Sequence, residues 1–525
     1  MDHRFRLSIA YGLALLLVLM PLAGLCAEGP EAKEGNVRKL TVADAVLIAL
    51  TNNVTLRSVY MDRYLQRIDL EMAERQYYLP TDPKLTLSTS RSSLYNGTAG
   101  SVQNLDGGGN MTATLAIPTG GTFTFAWNNA TQRPDTGQRF AYSSDWGVTF
   151  TQPLLKGGGI ENAAYSVRIA RIAEEKNLLS LKDTIASTIK TTISAFRSYK
   201  SAERSLVIAE MALSRAKSLL DYNREMIAAG RLAGTEIVQA QADIASQEKS
   251  VIDAKNSLEE ARLALLQAMY IDKQTPFQAM EESDQLIQPP SLQEALALAF
   301  QNRVDYLTAL KGLEEYQLAL DKARRNRLWS LNLTAGTTDG AASTTFDTYD
   351  SALRRSLGSG AERNWNAGLS LEIPLVYMTS DVRSYLGAKN SLEKAKLSFD
   401  KLKADIEINV QSAIRNVDSN YRSLLSARQA KELAERKLNI EREKLGAGRT
   451  TNFQLVSFQK DVQTAQINES SALTSYLNSL TSLDDTLGTT LATWQISVKA
   501  EDDRFQPPGE SAATSPKPGD PKNVQ

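Results

Sequence analysis

Histidine and cysteine are nearly absent from this chain of 525 residues, which holds one of each, His3 and Cys26. Both lie in a leader-like stretch, so processing after Ala27 leaves a mature chain with neither. Ser-His and Cys-His catalytic pairs and Cys or His zinc sites are then excluded, and so are disulfides. Carboxylate-only catalysis remains open. Charge of one sign is also missing: 59 basic against 60 acidic side chains give a formal net charge of −1, so no strong field calls for nucleic acid. Long apolar runs are scarce. The one clear run, "YGLALLLVLMPLAGL", follows Arg4 and Arg6 and ends before the small residue Ala27, the order of a secretory signal over residues 1–27. A signal anchor is the alternative reading. Cys26 is a second open point, because a lipid-carrying cysteine is ordinarily preceded by Gly, Ala or Ser and here Leu25 stands there. Nothing further along reaches the roughly 18 apolar residues of a membrane-spanning helix.

What the chain does have is internal repetition. "TVADAVLIALTNNV" (Thr41 to Val54) answers "SLQEALALAFQNRV" (Ser291 to Val304), and each opens with Ser or Thr and a carboxylate three residues on, a capping box. "SAFRSYKSAERSL" (Ser194 to Leu206) aligns without gaps to "SAIRNVDSNYRSL" (Ser412 to Leu424), with seven of thirteen positions identical. "AAGRLAGTEIVQAQAD" (Ala228 to Asp243) and "GAGRTTNFQLVSFQKD" (Gly446 to Asp461) keep the same offset of 218 residues. The chain is two copies of one unit.

Within each copy the hydrophobic period changes. After a short helical pair, "KLTLSTS" (Lys84 to Ser90), "TFTFAW" (Thr122 to Trp127) and "DWGVTFTQPLL" (Asp145 to Leu155) alternate with period two, as do "SLNLTAG" (Ser330 to Gly336) and "WNAGLSLEIPL" (Trp365 to Leu375) in copy two. Such alternation predicts strands. The segments between them, "NGTAGSVQNLDGGGN" and "GTTDGAASTTFDTYDSALRRSLGSG", are polar and glycine-rich and read as external loops. Trp127, Trp146, Trp329 and Trp365 fall in or beside the strands, the placement of interfacial girdles. Strand pattern alone leaves a soluble sandwich and an outer-membrane barrel both open.

The helices favour the barrel. From about Ile160 to Met226, and again from about Asp381 to Leu445, an apolar stripe runs with helical spacing and no proline, predicting rods near 100 Å at about 1.5 Å per residue. Both rods break at the Gly-Arg stretches, at Gly230 and Gly234 and at Gly446 and Gly448, and helix resumes to about Ile271 and Leu487. Glycine there is expected to supply the left-handed cap that reverses the chain. Stripes of about two residues in seven need partner rods on more than one side. The tail after about Asp502 is rich in Pro and Ser and reads as disordered. The expected organisation is a signal over 1–27, a helix pair over 28–80, strands and external loops over 81–156 and a helical hairpin over 157–280. Copy two follows with a helix pair over 281–328, strands and an external loop over 329–376 and a hairpin over 377–500, before the tail at 501–525.

Strand-ending "QPLLKGGG" (Gln152 to Gly159) and "EIPL" (Glu372 to Leu375), together with the "GAGRTTNFQLVSFQ" turn, complete a pattern that resembles the TolC family of outer-membrane efflux proteins over about Thr41 to Trp494. The resemblance implies an α+β membrane protein and a homotrimer. Each chain would give four strands to one 12-stranded β-barrel in outer-membrane lipid, continued by a long periplasmic α-helical tunnel. It implies a periplasmic adaptor protein and an inner-membrane pump of RND, ABC or MFS type as partners, and no cofactor, metal or nucleic acid. It places Arg231, Glu236, Arg449, Gln454 and Ser457 at the periplasmic tip or gate, where Gln454 and Ser457 stand in place of carboxylates that family members often carry. The tip turns are Gly230, Gly234, Gly446 and Gly448. The hinge from barrel to tunnel is Pro153, Gly157, Gly158 and Gly159 in copy one and Pro374 in copy two. Arg231 also reads as a plain cation at a helix C-terminus, and Glu236 as a solvated helix start, both favoured by the dipole.

Other features carry less. Gly157 to Gly159 lack the Lys-Ser/Thr of a phosphate loop, and Asp484 and Asp485 read as a solvated acid pair. Asn96-Gly97-Thr98 matches the glycosylation pattern without further support. The competing function is a secreted coiled-coil structural or adhesive protein whose strands form a soluble β domain.

Overall fold

The computed structural model describes residues 38–77, 83–96, 100–134, 141–230, 233–280, 289–343, 348–358, 362–373, 380–447 and 449–496. The signal and the tail lie outside them. Copy one opens with β1 (Arg38–Leu40), α1 (Val42–Asn52) and α2 (Val54–Arg75), then strands β2 (Lys84–Asn96), β3 (Gly100–Ala116), β4 (Thr122–Pro134) and β5 (Ala141–Pro153). A single turn, α3 (Ile160–Ala163), leads into α4 (Tyr165–Ala228), α5 (Glu236–Met269) and β6 (Phe277–Ala279). Copy two runs α6 (Leu292–Asn302), α7 (Val304–Asn326), β7 (Ser330–Ser343), α8 (Tyr349–Leu357) and β8 (Glu362–Glu372), then α9 (Ser380–Gly446), α10 (Asn452–Leu487) and α11 (Thr490–Thr493). No helix among the described residues is long and apolar enough to cross a membrane.

The expected capping boxes are present. Thr41 and Ser291 each accept a bond from the backbone N–H three residues on, at Asp44 and Glu294, and those carboxylates accept from the cap backbone in return. The two rods are also as long as their unbroken stripes require: α4 has 64 residues and α9 has 67. Shorter helices cover each rod. Leu56, Val59 and Tyr60 of α2 pack on Leu181 and Ile185 near the start of α4, while Leu265, Leu266 and Met269 of α5 cover Phe196 further along. In copy two, Leu473, Tyr476 and Leu477 of α10 lie against Val410, Val417 and Leu424 of α9, with α6 and Tyr306 of α7 closing the upper end. Polar ties join the copies. Lys190 of α4 pairs with Asp485 of α10 at 2.6 Å, and Lys311 of α7 with Glu175 of α4 at 2.6 Å. Buried Arg197 donates to the Leu477 carbonyl at 2.6 Å and to the Thr481 hydroxyl at 2.7 Å. A short parallel pair, β1 with β6, clasps the copy-one hairpin at its base. Asp484 and Asp485 are therefore structural: Asp484 takes a bond from the Thr489 hydroxyl at 3.2 Å, and Asp485 holds Lys190.

The sheet departs from expectation. Among the described residues it has six strands, in the order β2-β3-β4-β5-β7-β8, with every neighbour antiparallel, against the four per chain that the resemblance implies. The difference lies in copy one. The stretch Gly100 to Asn110, read as external loop, belongs to β3, because ladder hydrogen bonds to β2 and β4 on both sides outweigh the poor strand propensity of glycine and asparagine. The copy-two loop likewise holds structure. β7 runs on to Ser343, and α8 packs Ala352 and Ser356 onto β5 and β7, where Trp146 Nε1 donates to the Ser356 carbonyl at 3.0 Å.

Most large apolar side chains share one face, which also carries Gln152, Asp339 and Arg363. Leu85 and Leu87, Met111, Phe123 with Phe125 and Trp127, Trp146 with Val148 and Phe150, Leu331 with Leu333, and Trp365 with Leu369 and Leu371 share one face through the strand register. Thr86, Thr112, Thr124, Thr149, Thr334 and Ser370 share the other. Trp127 and Trp146 pair directly, and Trp365 stands one step away opposite Thr337. Trp329 precedes β7 at the opposite end. Eight residues separate Trp329 from Thr337, about 26 Å of strand and roughly 20 Å along a normal at a 40° tilt, comparable to the apolar band of about 25 Å in outer-membrane barrels.

Phe196 is fully buried. Replacing it with alanine is expected to lower stability by about 3–5 kcal/mol, whereas Lys255→Ala on the exposed side of α5 changes it by less than about 0.5 kcal/mol. Chemical unfolding of the two variants in detergent checks this.

Candidate functional site: the hairpin tips and the strand-to-helix hinge

The hinge is built from positions that only glycine fills easily. β5 ends at Pro153, and its pairing with β7 continues one step further through the Leu154 N–H to the Leu331 carbonyl at 2.7 Å. The chain then turns through Gly157 and Gly159, both left-handed at φ 83° and 94°. A Cβ on Gly158 would sit 2.2 Å from the Pro153 carbonyl oxygen, closer than any real contact. The Gly159 N–H donates to the Thr119 carbonyl at 3.0 Å, so the β3–β4 turn is seated on the same glycines. Lys156 reaches Asp381 at the start of α9 at 2.6 Å, and Arg325 of α7 pairs with Glu161. Both copies are thus fastened together where strand becomes helix. Pro374 lies outside the described residues.

At the far end, Gly230 takes the left-handed conformation expected of a C-cap, with φ 68° and its N–H donating to the Ile227 carbonyl at 2.9 Å. Two expectations fail here. Gly234 and Gly446 do not adopt positive φ: Gly234 sits in the turn before α5, and Gly446 is the last residue of α9. In copy two the Arg449 N–H reaches back to the Lys444 carbonyl at 2.8 Å. Arg231 and Gly448 lie outside the described residues.

Glu236 opens α5 and accepts a bond from Asn452 Nδ2 at 3.3 Å, so the first residues of the two return helices touch. Arg449, Gln454 and Ser457 are exposed. The Gln454 backbone N–H donates to the Thr451 cap hydroxyl at 3.4 Å. Sequence reasoning missed Glu441, Thr450, Lys444 and Asn452. Glu441 is 5 % exposed and accepts bonds from the Thr450 hydroxyl and from Lys444 Nζ, the latter at 3.2 Å. Asn452 is 3 % exposed. The one available signal was Thr451 with Gln454 three residues on, a helix-start pattern at the "TTNFQ" segment. The Thr450 hydroxyl holds the Glu441 carboxyl below its ordinary value, with Lys444 and Lys437 adding to the effect.

Beneath the turns lies a small apolar cluster of Leu219, Leu438, Leu455 and Val462. Beside it a cavity of about 380 Å³ is bounded by Arg215, Tyr222, Arg442 and Gln459 among others. Burial, and then the neighbouring Arg442 charge, push the Arg215 guanidinium down. Among the described residues nothing accepts from Arg215 Nε and Nη2, and both side-chain polar atoms of buried Asn223 also lack a partner. The tip interior thus holds buried polar atoms without partners among the described residues.

An apolar sheet face flanked by tryptophans is thus joined through a glycine hinge to two long rods that end in tight turns. The outer membrane efflux protein family model matches residues 83–269 and 295–489, so the chain belongs to that family of channels and not to an enzyme class. No curated protein matches the sequence at a significant level. Among solved structures, the chain is similar to the Campylobacter jejuni CmeC outer membrane channel, at 16% identity and a TM-score of 0.62, covering 86% of each chain. It is similar to the Vibrio cholerae outer membrane protein VceC at 14% identity and 0.63, over 85% of this chain and 96% of that one. The open state of the Neisseria gonorrhoeae MtrE channel aligns at 16% and 0.60, over 86% and 89%. At these identities the likeness is one of fold. Family membership sets aside the secreted adhesive reading, and the exposed apolar sheet face argues the same way.

Two outcomes are expected. Because the folded Glu441 pKa is lowered, its contribution is complete above the ordinary carboxylate value, about 4.3, and is lost as pH falls through the lower folded value. Thr450→Val removes the largest cause, so acid loosening of the tip starts at a higher pH. Amide exchange of residues 449–452 against pH, compared with wild type, checks it. At the hinge, Gly159→Ala forces a side chain into a left-handed position at a cost on the order of 1–3 kcal/mol, and Gly158→Ala should cost more because of the carbonyl clash. The yield of folded protein in outer-membrane fractions reports both.

Proposed function

We propose that this chain is the outer-membrane component of a tripartite efflux or type I secretion system, a passive trimeric exit duct across the periplasm and outer membrane. The observation that carries the reading is the join of an amphipathic sheet, apolar on one face and threonine-rich on the other, to two helical hairpins whose rods are near 100 Å at about 1.5 Å per residue. One chain leaves the sheet open at both edges, and in lipid an open edge strands backbone groups at several kcal/mol each. Assembly of three chains removes that cost. Transport through such a duct is downhill, and the energy comes from an inner-membrane pump reached through a periplasmic adaptor.

The hairpin tips are the proposed gate. Glu236 with Asn452 joins the two tips, and Glu441 with Thr450 and Lys444 ties the second, above an interior with unpartnered polar atoms. Regions so built lie at the low end of local stability, where moving parts are drawn from. In this role Glu236 links the two copies and lines the entrance, while Arg449 presents its charge outward for a neighbouring chain or adaptor.

In planar bilayers, the trimer carrying Glu236→Gln together with Arg449→Ala is expected to show a higher single-channel conductance or more frequent opening than wild type. An unchanged record removes the gate role from these residues. Detergent extraction of a heat-resistant trimer from outer-membrane fractions tests the duct itself, since a monomer free in the soluble fraction contradicts it.

A further inference from the structure

Resting on the trimeric duct proposed above, we infer that β2 of one copy pairs with β8 of the next, so that three chains close an eighteen-stranded barrel. The strand count follows from the sheet of six per chain. The seam follows from its two edges. Edge side chains on the apolar face are the least covered in the sheet: Leu85 and Leu87 are 68 % and 78 % exposed, and Trp365 and Leu369 are 80 % and 64 %. Their counterparts on inner strands, Met111, Phe123, Phe125 and Leu333, are only 37–41 % exposed. A neighbouring strand is what the inner ones have and the edges lack.

Polarity and facing also fit a second copy of this chain. With an even number of antiparallel strands, β2 and β8 run in opposite directions, so β8 meets the next copy's β2 antiparallel; an odd number would force a parallel seam. The strands are 13 and 11 residues long. Leu85 and Leu87 continue the face of Trp365, Leu369 and Leu371, while Thr86 and Ser88 continue that of Asn366 and Ser370. The contact is head-to-tail, which closes a ring by rotation.

The two strands that raise the count are β3 and β4, a hairpin that among the described residues occurs in copy one alone. It is seated as part of the wall. Its turn rests on the hinge through the Gly159 N–H to Thr119 carbonyl bond of 3.0 Å, and Gln152 Nε2 donates to the same carbonyl at 3.0 Å. Its Met111, Phe123 and Phe125 lie in the apolar band. At the same tilt, eighteen strands give a wall about 1.5 times the circumference of twelve. The barrel is then a wide water-filled mouth, and the narrowest passage belongs to the tips.

Deleting residues 100–134 removes both hairpin strands and joins β2 to β5 through residues 97–99 and 135–140. Electron cryo-microscopy of detergent-extracted trimers is expected to show the full-length barrel about 1.5-fold larger in circumference than that of the deletion variant. Equal circumferences overturn the inference while leaving the duct standing. Failure of the full chain to form trimers overturns the duct instead. If the deletion variant does not assemble, the full chain decides alone, since it has no cysteine beyond Cys26. Thr86→Cys with Asn110→Cys, which face each other in the register, should lock within one chain. Thr86→Cys or Ser88→Cys combined with Asn366→Cys or Ser370→Cys should give a covalent ladder up to trimer. A seam without any ladder in trimers that form overturns the pairing.

Discussion

A helix near 100 Å long cannot keep an apolar stripe in water, and this need for lateral cover organises the whole molecule. α4 receives it in pieces: α2 near the sheet, its own return helix α5 and the other copy's return helix α10, while α9 is covered by α6 and α7 near the sheet and by α10 along its length. Duplication follows from this requirement. One hairpin buries one side of its rod, whereas two hairpins side by side bury the inner flanks of both and leave the outer flanks for further neighbours. Lys190 with Asp485 and buried Arg197 with the Leu477 carbonyl sit where the copies meet, so these directional contacts fix the sliding register that greasy contacts alone would leave loose.

The hinge answers a different problem. A strand rises about 3.3 Å per residue and a helix about 1.5 Å, and the chain must pass from one geometry to the other while keeping its sheet partner. Copy one does this in the few residues after Pro153, with two left-handed glycines and a third crowded against a carbonyl. No side chain occupies that space, which lets the β3–β4 turn settle there. The glycines therefore support the added hairpin as much as the change of direction.

Much of this was legible in the order of residues. Capping boxes at Thr41 and Ser291 announced helix starts, unbroken stripes announced the rods to within a few residues, and the Gly-Arg stretches announced the tips. What stayed hidden was set by contacts between distant segments. Gly107, Gly108 and Gly109 carry no strand signal of their own and become strand because β2 and β4 flank them. Glu441 looks like one more solvated helix carboxylate until the turn brings Thr450 onto it. Gly446 looked like a reversal point, yet the helix runs through it and the Arg449 N–H reaches back to the Lys444 carbonyl. Patterns of period and cap survive in a linear reading; pairings made across a fold do not.

The two tips also differ in how their return helices begin. α10 starts under Thr451, whose hydroxyl accepts the Gln454 N–H, while Thr235 before α5 makes no such side-chain bond. A cap of this kind adds on the order of 1 kcal/mol. The first turn of α5 therefore frays more readily than the first turn of α10, so two halves that repeat one sequence plan differ in local stability at the same point.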